Sequence, residues 1–229
     1  MELARAWFTS SVPTAPAEVT TLLEGHPLTK GILFTEGRPE YVTPLPERGE
    51  GRNHDLWIRA RTDRPVTLCV EAKADEPFGD LVSEVWAGST DGSGKPIGGS
   101  RKAQRLEALL ALLFGAEADP GRPPWSDMRY QLITAAAGTV IQAVKDQADL
   151  AVLLVHEFLT AKVDRAEKVP QNEADFALFV SALTRVQREE IRTGVLCGPV
   201  TIPRSQHLAH DVGLLVGKVV FDWTTGRQS

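Results

Sequence analysis

The sequence predicts an α/β fold in which helices flank a mixed central sheet. Three observations carry that reading. Residues 55–61 (DLWIRAR) and 66–73 (VTLCVEAK) are extended runs separated only by the turn residues Thr62, Asp63, Arg64 and Pro65, so they read as a β-hairpin. Residues 150–155 (LAVLLV) form a short, wholly apolar run, as in a strand covered on both faces. Residues 101–114 and about 127–147 read as helices, the first ended by Gly115. With 229 residues, 42% of them hydrophobic and 24% charged, the chain is expected to form one sizeable domain over residues 1–229.

The remaining elements follow in chain order. Pro13, Pro16, Pro27, Pro39, Pro44 and Pro46 chop the N-terminal segment into short pieces. Between them, residues 17–24 read as a helix with Val19, Leu22 and Leu23 as its apolar face and Gly25 as its stop. Residues 31–34 and 40–43 read as two short strands, and 47–53 (ERGEGRN) as a polar turn. After the hairpin, the glycine- and serine-rich residues 88–100 read as a mobile loop. Residues 119–124 break the chain before Ser126 or Asp127 caps the long second helix. Asn172 is the expected cap of a helix to about Arg188, and residues 195–202 and 213–223 are expected as edge strands.

Composition excludes several classes. The apolar fraction is too high for a disordered chain, and Cys69 and Cys197 are too few for a disulfide scaffold. The longest apolar run, residues 149–158, is broken by His156 and Glu157 and is too short to span a bilayer. Residues 1–17 lack a basic segment followed by an apolar one, so a cytoplasmic protein without a membrane partner is expected. A net charge of −5 argues against gripping nucleic acid by bulk charge. Residues 47–64 hold five arginines (Arg48, Arg52, Arg59, Arg61, Arg64) against four acids, which makes no basic stripe.

The hairpin carries the chemistry. Side chains two apart on a strand share a face, so Glu71 and Lys73 emerge together, about 6.6 Å apart along the strand. If residues 62–64 form the turn, paired positions sum to 126 and Asp55 stands opposite Glu71; a two-residue turn shifts every pair by one. In the first register two carboxylates and one ammonium converge. Asp55 and Glu71 would bind Mg²⁺ or Mn²⁺, with the backbone carbonyl of Ala72 as a further oxygen donor. Such a metal polarises a phosphoryl oxygen and supplies hydroxide, while Lys73 orients the water or steadies transition-state charge. The competing reading is a solvated face on which Glu71 and Lys73 pair with each other, or with Arg59 or Arg61. An acid-x-lysine triplet arises about once by chance in such a chain. Its place in a hydrophobic strand singles it out, because unpaired charges there are costly.

The spacing Asp55–x15–Glu71–x–Lys73 resembles the PD-(D/E)xK nuclease pattern, with His54 where the strict pattern has proline. The likeness extends along nearly the whole chain to an uncharacterised bacterial, restriction-endonuclease-like family. Its segments appear here as LARAW (3–7), GRNHDL (51–56), VEAKADEPFG (70–79), Gly94–Lys95 leading to Arg105–Leu106, RYQLI (129–133), VHEF (155–158) and FDW (221–223). The resemblance implies a restriction-endonuclease-like sheet and a Mg²⁺- or Mn²⁺-dependent nuclease with nucleic acid as partner. It implies a helical glutamine beside the metal, for which Gln131 is the match, although residue 135 is Ala where the fuller glutamine motif has tyrosine. It also implies an earlier acid, for which Glu40 is preferred to Glu18. Arg129 lies about 200° round the helix from Gln131 and points elsewhere. Ala135, Ala136 and Gly138 signal close helix–sheet packing.

Other signals carry no site. GSGKP (92–96) lacks the spacing and the Ser or Thr of a phosphate loop. His207 and His210 have no set of partners at zinc spacing, and His156 and Cys69 read as interior residues. The negative charge keeps a second reading open: a catalytically inactive nucleic-acid- or protein-binding protein on the same fold.

Overall fold

The computed structural model describes residues 2–8, 13–47, 49–98, 101–162, 167–225 and 227–228. Arg48, Gly99 and Ser100, which enter the charge count and the glycine loop above, lie outside them. The elements are α1 (Glu2–Trp7), α2 (Ala17–Glu24), β1 (Leu33–Thr43), β2 (Arg52–Arg61), β3 (Pro65–Ala74), α3 (Val82–Ala87), α4 (Lys102–Phe114), α5 (Tyr130–Lys145), β4 (Leu150–Leu159), α6 (Lys168–Thr184), β5 (Leu196–Ile202), β6 (Val212–Asp222) and β7 (Arg227–Gln228). Strand order is β1-β2-β3-β4-β6-β5, with β7 pairing β6. β3, β4 and β6 run parallel, while β1–β2, β2–β3 and β5–β6 are antiparallel. This is the mixed, helix-flanked sheet that the sequence predicts.

β4 is buried at all ten positions because helices cover both faces of the sheet. On one face Val19, Leu22, Leu23 and Trp7 of α1 and α2 pack on Ile58, Leu68, Val152, Leu154 and Leu215. On the other, α3 to α6 pack on Ala151, Leu153, Val155, Leu214 and Val216. α5 lies close because Ala135, Ala136 and Gly138 carry almost no side chain. A Cβ on Gly138 would come within 3.0 Å of the Arg52 side chain and of His54 Cε1. At its C-terminal end, Asp146 accepts hydrogen bonds from Trp57 Nε1 (2.8 Å), Thr67 Oγ1 (2.7 Å) and Gln142 Nε2 (2.9 Å). Those bonds fix the rotation and axial position of α5 over β2 and β3.

The hairpin takes the three-residue turn and the register in which positions sum to 126, as in Leu56 with Val70 and Trp57 with Cys69. Several expectations change. β1 is one strand of eleven residues rather than two short ones. As an edge strand it pairs only with β2, so Pro39 needs no second partner. β2 begins at Arg52, inside the segment read as a turn. α5 starts at Tyr130, because Ser126 Oγ bonds Asp127 within a 3₁₀ turn over Trp125–Asp127 instead of capping the helix. α6 starts at Lys168, where Pro170 falls in the first turn and its missing N–H costs no helical bond. It ends at Thr184, four residues earlier than read, with Arg185 left-handed. β6 is central rather than an edge, with β4 and β5 on its two sides. Through residue 98 the glycine loop is a turn in which Asp91 Oδ1 accepts from the N–H groups of Ser93 (2.8 Å) and Lys95 (3.0 Å).

A buried polar contact joins the first helices to β4. Trp7 Nε1 donates to His156 Nδ1 (3.1 Å), so the proton of the neutral ring sits on Nε2, 3.0 Å from Glu18 Oε1. Burial holds the His156 pKa below its ordinary value, against the opposing pull of Glu18.

Two predictions follow from the packing. Leu154→Ala, at a fully buried position, should cost about 2–5 kcal/mol in a urea titration, whereas Leu33→Ala on the exposed edge should stay within about 0.5 kcal/mol. Because the His156 pKa is depressed on folding, the unfolded chain binds its proton first. Stability is therefore full above the unfolded histidine pKa, about 6.5, and falls below it by up to about 1.4 kcal/mol per pH unit for one group. The slope of the urea-derived stability between pH 7.5 and 5.5 should flatten in His156→Phe.

Candidate active site

The parallel strands leave a polar row at their carboxyl ends, the usual place for a site in an α/β sheet. Along β3, Thr67, Cys69, Glu71 and Lys73 alternate toward α5. Up to Cys69 that face is uncharged: Thr67 is satisfied by Asp146, and burial pushes the Cys69 thiol pKa up to about 12. Beyond it the strand carries charge into the interior, with Glu71 and Lys73 only 1% and 4% exposed. Isolated, either charge there would be costly.

Each is paired. Glu71 Oε1 accepts from Gln131 Nε2 at 2.6 Å and lies 3.1 Å from Lys73 Nζ. Glu71 Oε2 lacks hydrogen-bonding geometry to any donor and meets the guanidinium of Arg52 as an ion pair. Gln131 stands in the first turn of α5, where the helix dipole is positive and favours a carboxylate. Lys73 Nζ also reaches Glu76 Oε1 (3.4 Å) and lies 5.8 Å from the centre of the Phe78 ring, which is fully buried core. Burial lowers the Lys73 pKa, and Glu76 and Asp55 work against that fall.

Asp55 enters from β2 through an irregularity. Arg52 and His54 lie under Gly138 of α5, yet Trp57 and Arg59, an odd number of residues further on, also reach α5 at Asp146. The alternation of β2 therefore slips by one residue across Asp55. The β2–β3 ladder stops at the Leu56–Val70 pair, and Asp55 Oδ2 accepts the Ala72 N–H (2.7 Å) beyond it. Burial raises the Asp55 pKa; the Ala72 N–H, Arg52 and Lys73 hold it back, and Glu40 adds to the rise. Glu40 falls between the Pro39–Leu56 and Tyr41–His54 pairs, opposite Asp55, with a positive φ of 51°. Its side chain is exposed and accepts from Asn53 Nδ2. His54 is buried and neutral: desolvation, then Arg52, bring its pKa down to about 3.

Glu71, Lys73 and Gln131 are thus in contact, with Asp55 beside them on the neighbouring strand. Neither Arg59 nor Arg61 is the partner of Glu71: Arg59 goes to Glu36 (3.1 Å) and Asp146 (3.5 Å). Arg129 turns away to Asp175 (2.8 Å) and the Gly79 carbonyl (3.0 Å), from an extended position just before α5 rather than by the helical angle expected. Sequence reasoning missed three members of the row. Arg52 was hidden in a polar stretch read as a turn. Glu157, abreast of Lys73 on β4, forms a 2.7 Å ion pair with Lys218 on β6 and accepts from Asn172 Nδ2 (2.6 Å). The signal for Glu157 was present, as a charge within the apolar run of β4.

The residues fit a hard divalent cation in one respect and compete with it in another. Mg²⁺ keeps most of its water and needs only one or two protein carboxylates plus a substrate phosphate, which Asp55 and Glu71 provide. Glu71 Oε2 faces the Arg52 guanidinium, which a metal at that oxygen would have to displace. Among the described residues no group of three or more His, Cys, Asp or Glu side chains is arranged to hold a metal. Nor is any helix among them long and apolar enough to cross a membrane.

Comparison with known proteins gives a match to one family model, described as Domain of unknown function (DUF6946), over residues 1–221. No curated protein and no solved structure matches. The match spans nearly the whole chain, from α1 through the central strand β6, so the chain belongs to the DUF6946 family.

Proposed function

We propose that the chain is a Mg²⁺- or Mn²⁺-dependent phosphodiesterase acting on nucleic acid, with a PD-(D/E)xK-like centre. The observation that carries this reading is the meeting of Glu71, Lys73 and Gln131 at the carboxyl end of β3, beside Asp55. These residues come from a strand, its hairpin partner and a helix 60 positions away, so local sequence does not explain their meeting.

Asp55 and Glu71 would hold the metal, with the carbonyl of Ala72 as a third protein donor. The metal supplies Lewis acidity at the phosphoryl oxygen and hydroxide at neutral pH. Gln131 fixes the Glu71 carboxylate through Oε1, so the second oxygen keeps one direction. Lys73 donates from Nζ to the attacking water or to the charge building on the phosphoryl oxygens. Phe78 and the sheet exclude water from its stem, which strengthens that charge–charge interaction. Glu40 acts at most through Asp55, since Asn53 holds its carboxylate. A cytoplasmic location belongs to the same reading, and both cysteines are free thiols.

A second reading rests on the Arg52–Glu71 ion pair, which neutralises Glu71 with no metal at all. It describes a binding protein that has kept the fold. One assay separates the two: cleavage of labelled single-stranded DNA, duplex DNA and RNA with Mg²⁺, Mn²⁺ or EDTA. The enzyme reading expects metal-dependent cleavage that falls about 10²–10³-fold in Glu71→Ala and Lys73→Ala. Gln131→Ala, which only frees the carboxylate, should lose about 10–100-fold. Folding of each variant is checked by circular dichroism. Cleavage that survives in Glu71→Ala defeats the proposal, as does its absence with every substrate. Calorimetry gives a further test: Arg52→Gln removes the competing cation, so Mn²⁺ should bind several-fold more tightly than to the parent protein.

A further inference from the structure

Beside the candidate site, the connection between β1 and β2 faces the first turns of α4 and α5 across a groove of about 520 Å³. Its lining gathers Arg52, Arg101, Lys102 and Arg105 around the acid Glu50; with Glu71 on Arg52 and Glu47 on Arg101 counted, four cations meet three acids, a net of +1 in a chain whose total is −5. Four cations from two distant segments are thus gathered in one groove, which a count along the sequence does not reveal.

Arg105 sets the character of the groove. It is 9% exposed, and its guanidinium donates to three backbone carbonyls: Pro46 (3.1 Å), Glu50 (2.6 Å) and Glu47 (3.4 Å). Carbonyls satisfy its hydrogen bonds but cancel none of its charge, so a buried cation projects an uncompensated field into the groove. Gly49 lets the loop close over it: its φ is +136°, and a Cβ there would stand 2.6 Å from Arg105 Nη2. Arg101 stands at the mouth, 3.6 Å from Glu47, with both side chains partly in solvent.

The groove is continuous with the candidate site. Arg52 lines it and also pairs with Glu71. Tyr130, on its wall, is the helical neighbour of Gln131, which holds the other oxygen of Glu71.

We propose that this groove binds a backbone phosphate of a nucleic-acid strand, adjacent to the phosphodiester at Glu71 and Lys73. The proposal rests on the phosphodiesterase reading for the identity of the neighbouring group. Arg101 and Lys102 meet the phosphate at the rim, Arg105 supplies charge from behind, and Arg52 spans both phosphates. A fixed cationic subsite of this kind lets a protein of net negative charge hold a polyanion locally, with few phosphate contacts and a shallow dependence on salt.

The test is fluorescence anisotropy of labelled single-stranded and duplex oligonucleotides in EDTA over a salt series, so that binding is read without turnover. Reversal of the rim charges, Arg101→Glu with Lys102→Glu, should weaken binding at least about 10-fold at low salt. It should also flatten the slope of log affinity against log salt by about 1–2. Lys30→Glu with Arg204→Glu, exposed positions away from the groove, should leave both quantities near the parent values. Equal losses in the two pairs, unchanged binding in the first, or no binding by the parent protein overturns the groove. Inorganic phosphate that competes as well as the oligonucleotide, phosphate for phosphate, marks a free-anion site and overturns the nucleic-acid assignment. If Glu71-dependent cleavage is found while the rim variant binds normally, the groove fails and the phosphodiesterase reading stands. Rim-dependent binding without metal-dependent cleavage gives the reverse.

Discussion

Charges driven into the interior beneath α5 must be matched where they stand, and much of the molecule is arranged to do so. Arg52, Glu71, Lys73, Glu157 and Lys218 follow one another across β2, β3, β4 and β6 on one face of the sheet. An uncompensated charge in that layer is far more destabilising than the pair is stabilising, so Arg52–Glu71 ties β2 to β3 and Glu157–Lys218 ties β4 to β6. A slip of one residue in β4 would bring the neutral ring of His156 or the ring of Phe158 to the place of Glu157, and would send that carboxylate into the apolar layer under α1 and α2. Hydrophobic alternation alone sets the faces; the ionic row also sets the level at which the strands meet.

α5 converts that register into a site. It is held at its far end by Asp146, in the middle by the absent side chain of Gly138, and at its start by Gln131 on Glu71. Three attachments on one rigid helix leave Gln131 no freedom to drift, so the Glu71 carboxylate is oriented before any ligand arrives. The irregularity of β2 at Asp55 works the same way. A side-chain oxygen replaces a ladder acceptor for the Ala72 N–H, and the strand turns a carboxylate toward the next strand instead of outward.

Much of this was legible in the sequence, for identifiable reasons. The hairpin itself was legible from its two extended runs, but two registers stayed open because local sequence does not fix the turn length; the structure takes the three-residue turn. Gln131 was accessible only through the family resemblance, and Ala135, Ala136 and Gly138 through size alone. The ionic row was not legible beyond Glu71 and Lys73. Arg52 sits among glycines and polar residues that look like a turn and become a strand only through pairing with β1 and β3. Lys218 lies in a stretch whose central position depends on which strands flank it, a property of topology that no local pattern contains. The true starts of α5 and α6 escaped because good caps were used elsewhere: Ser126 bonds its neighbour Asp127 in a 3₁₀ turn, and Asn172 reaches Glu157 on β4.

The contact between Trp7 and His156 spans 149 residues of chain. α2 likewise rests on strands β4 and β6, which come from the second half of the sequence. β2 and β3 offer these helices part of their surface, and the rest exists only once β4 and β6 have been made. During synthesis part of their apolar faces must wait in solvent, and closing so long a loop comes late in folding because its entropic cost precedes any reward. The layer formed by α1 and α2 is thus closed by strands that lie far along the chain from it.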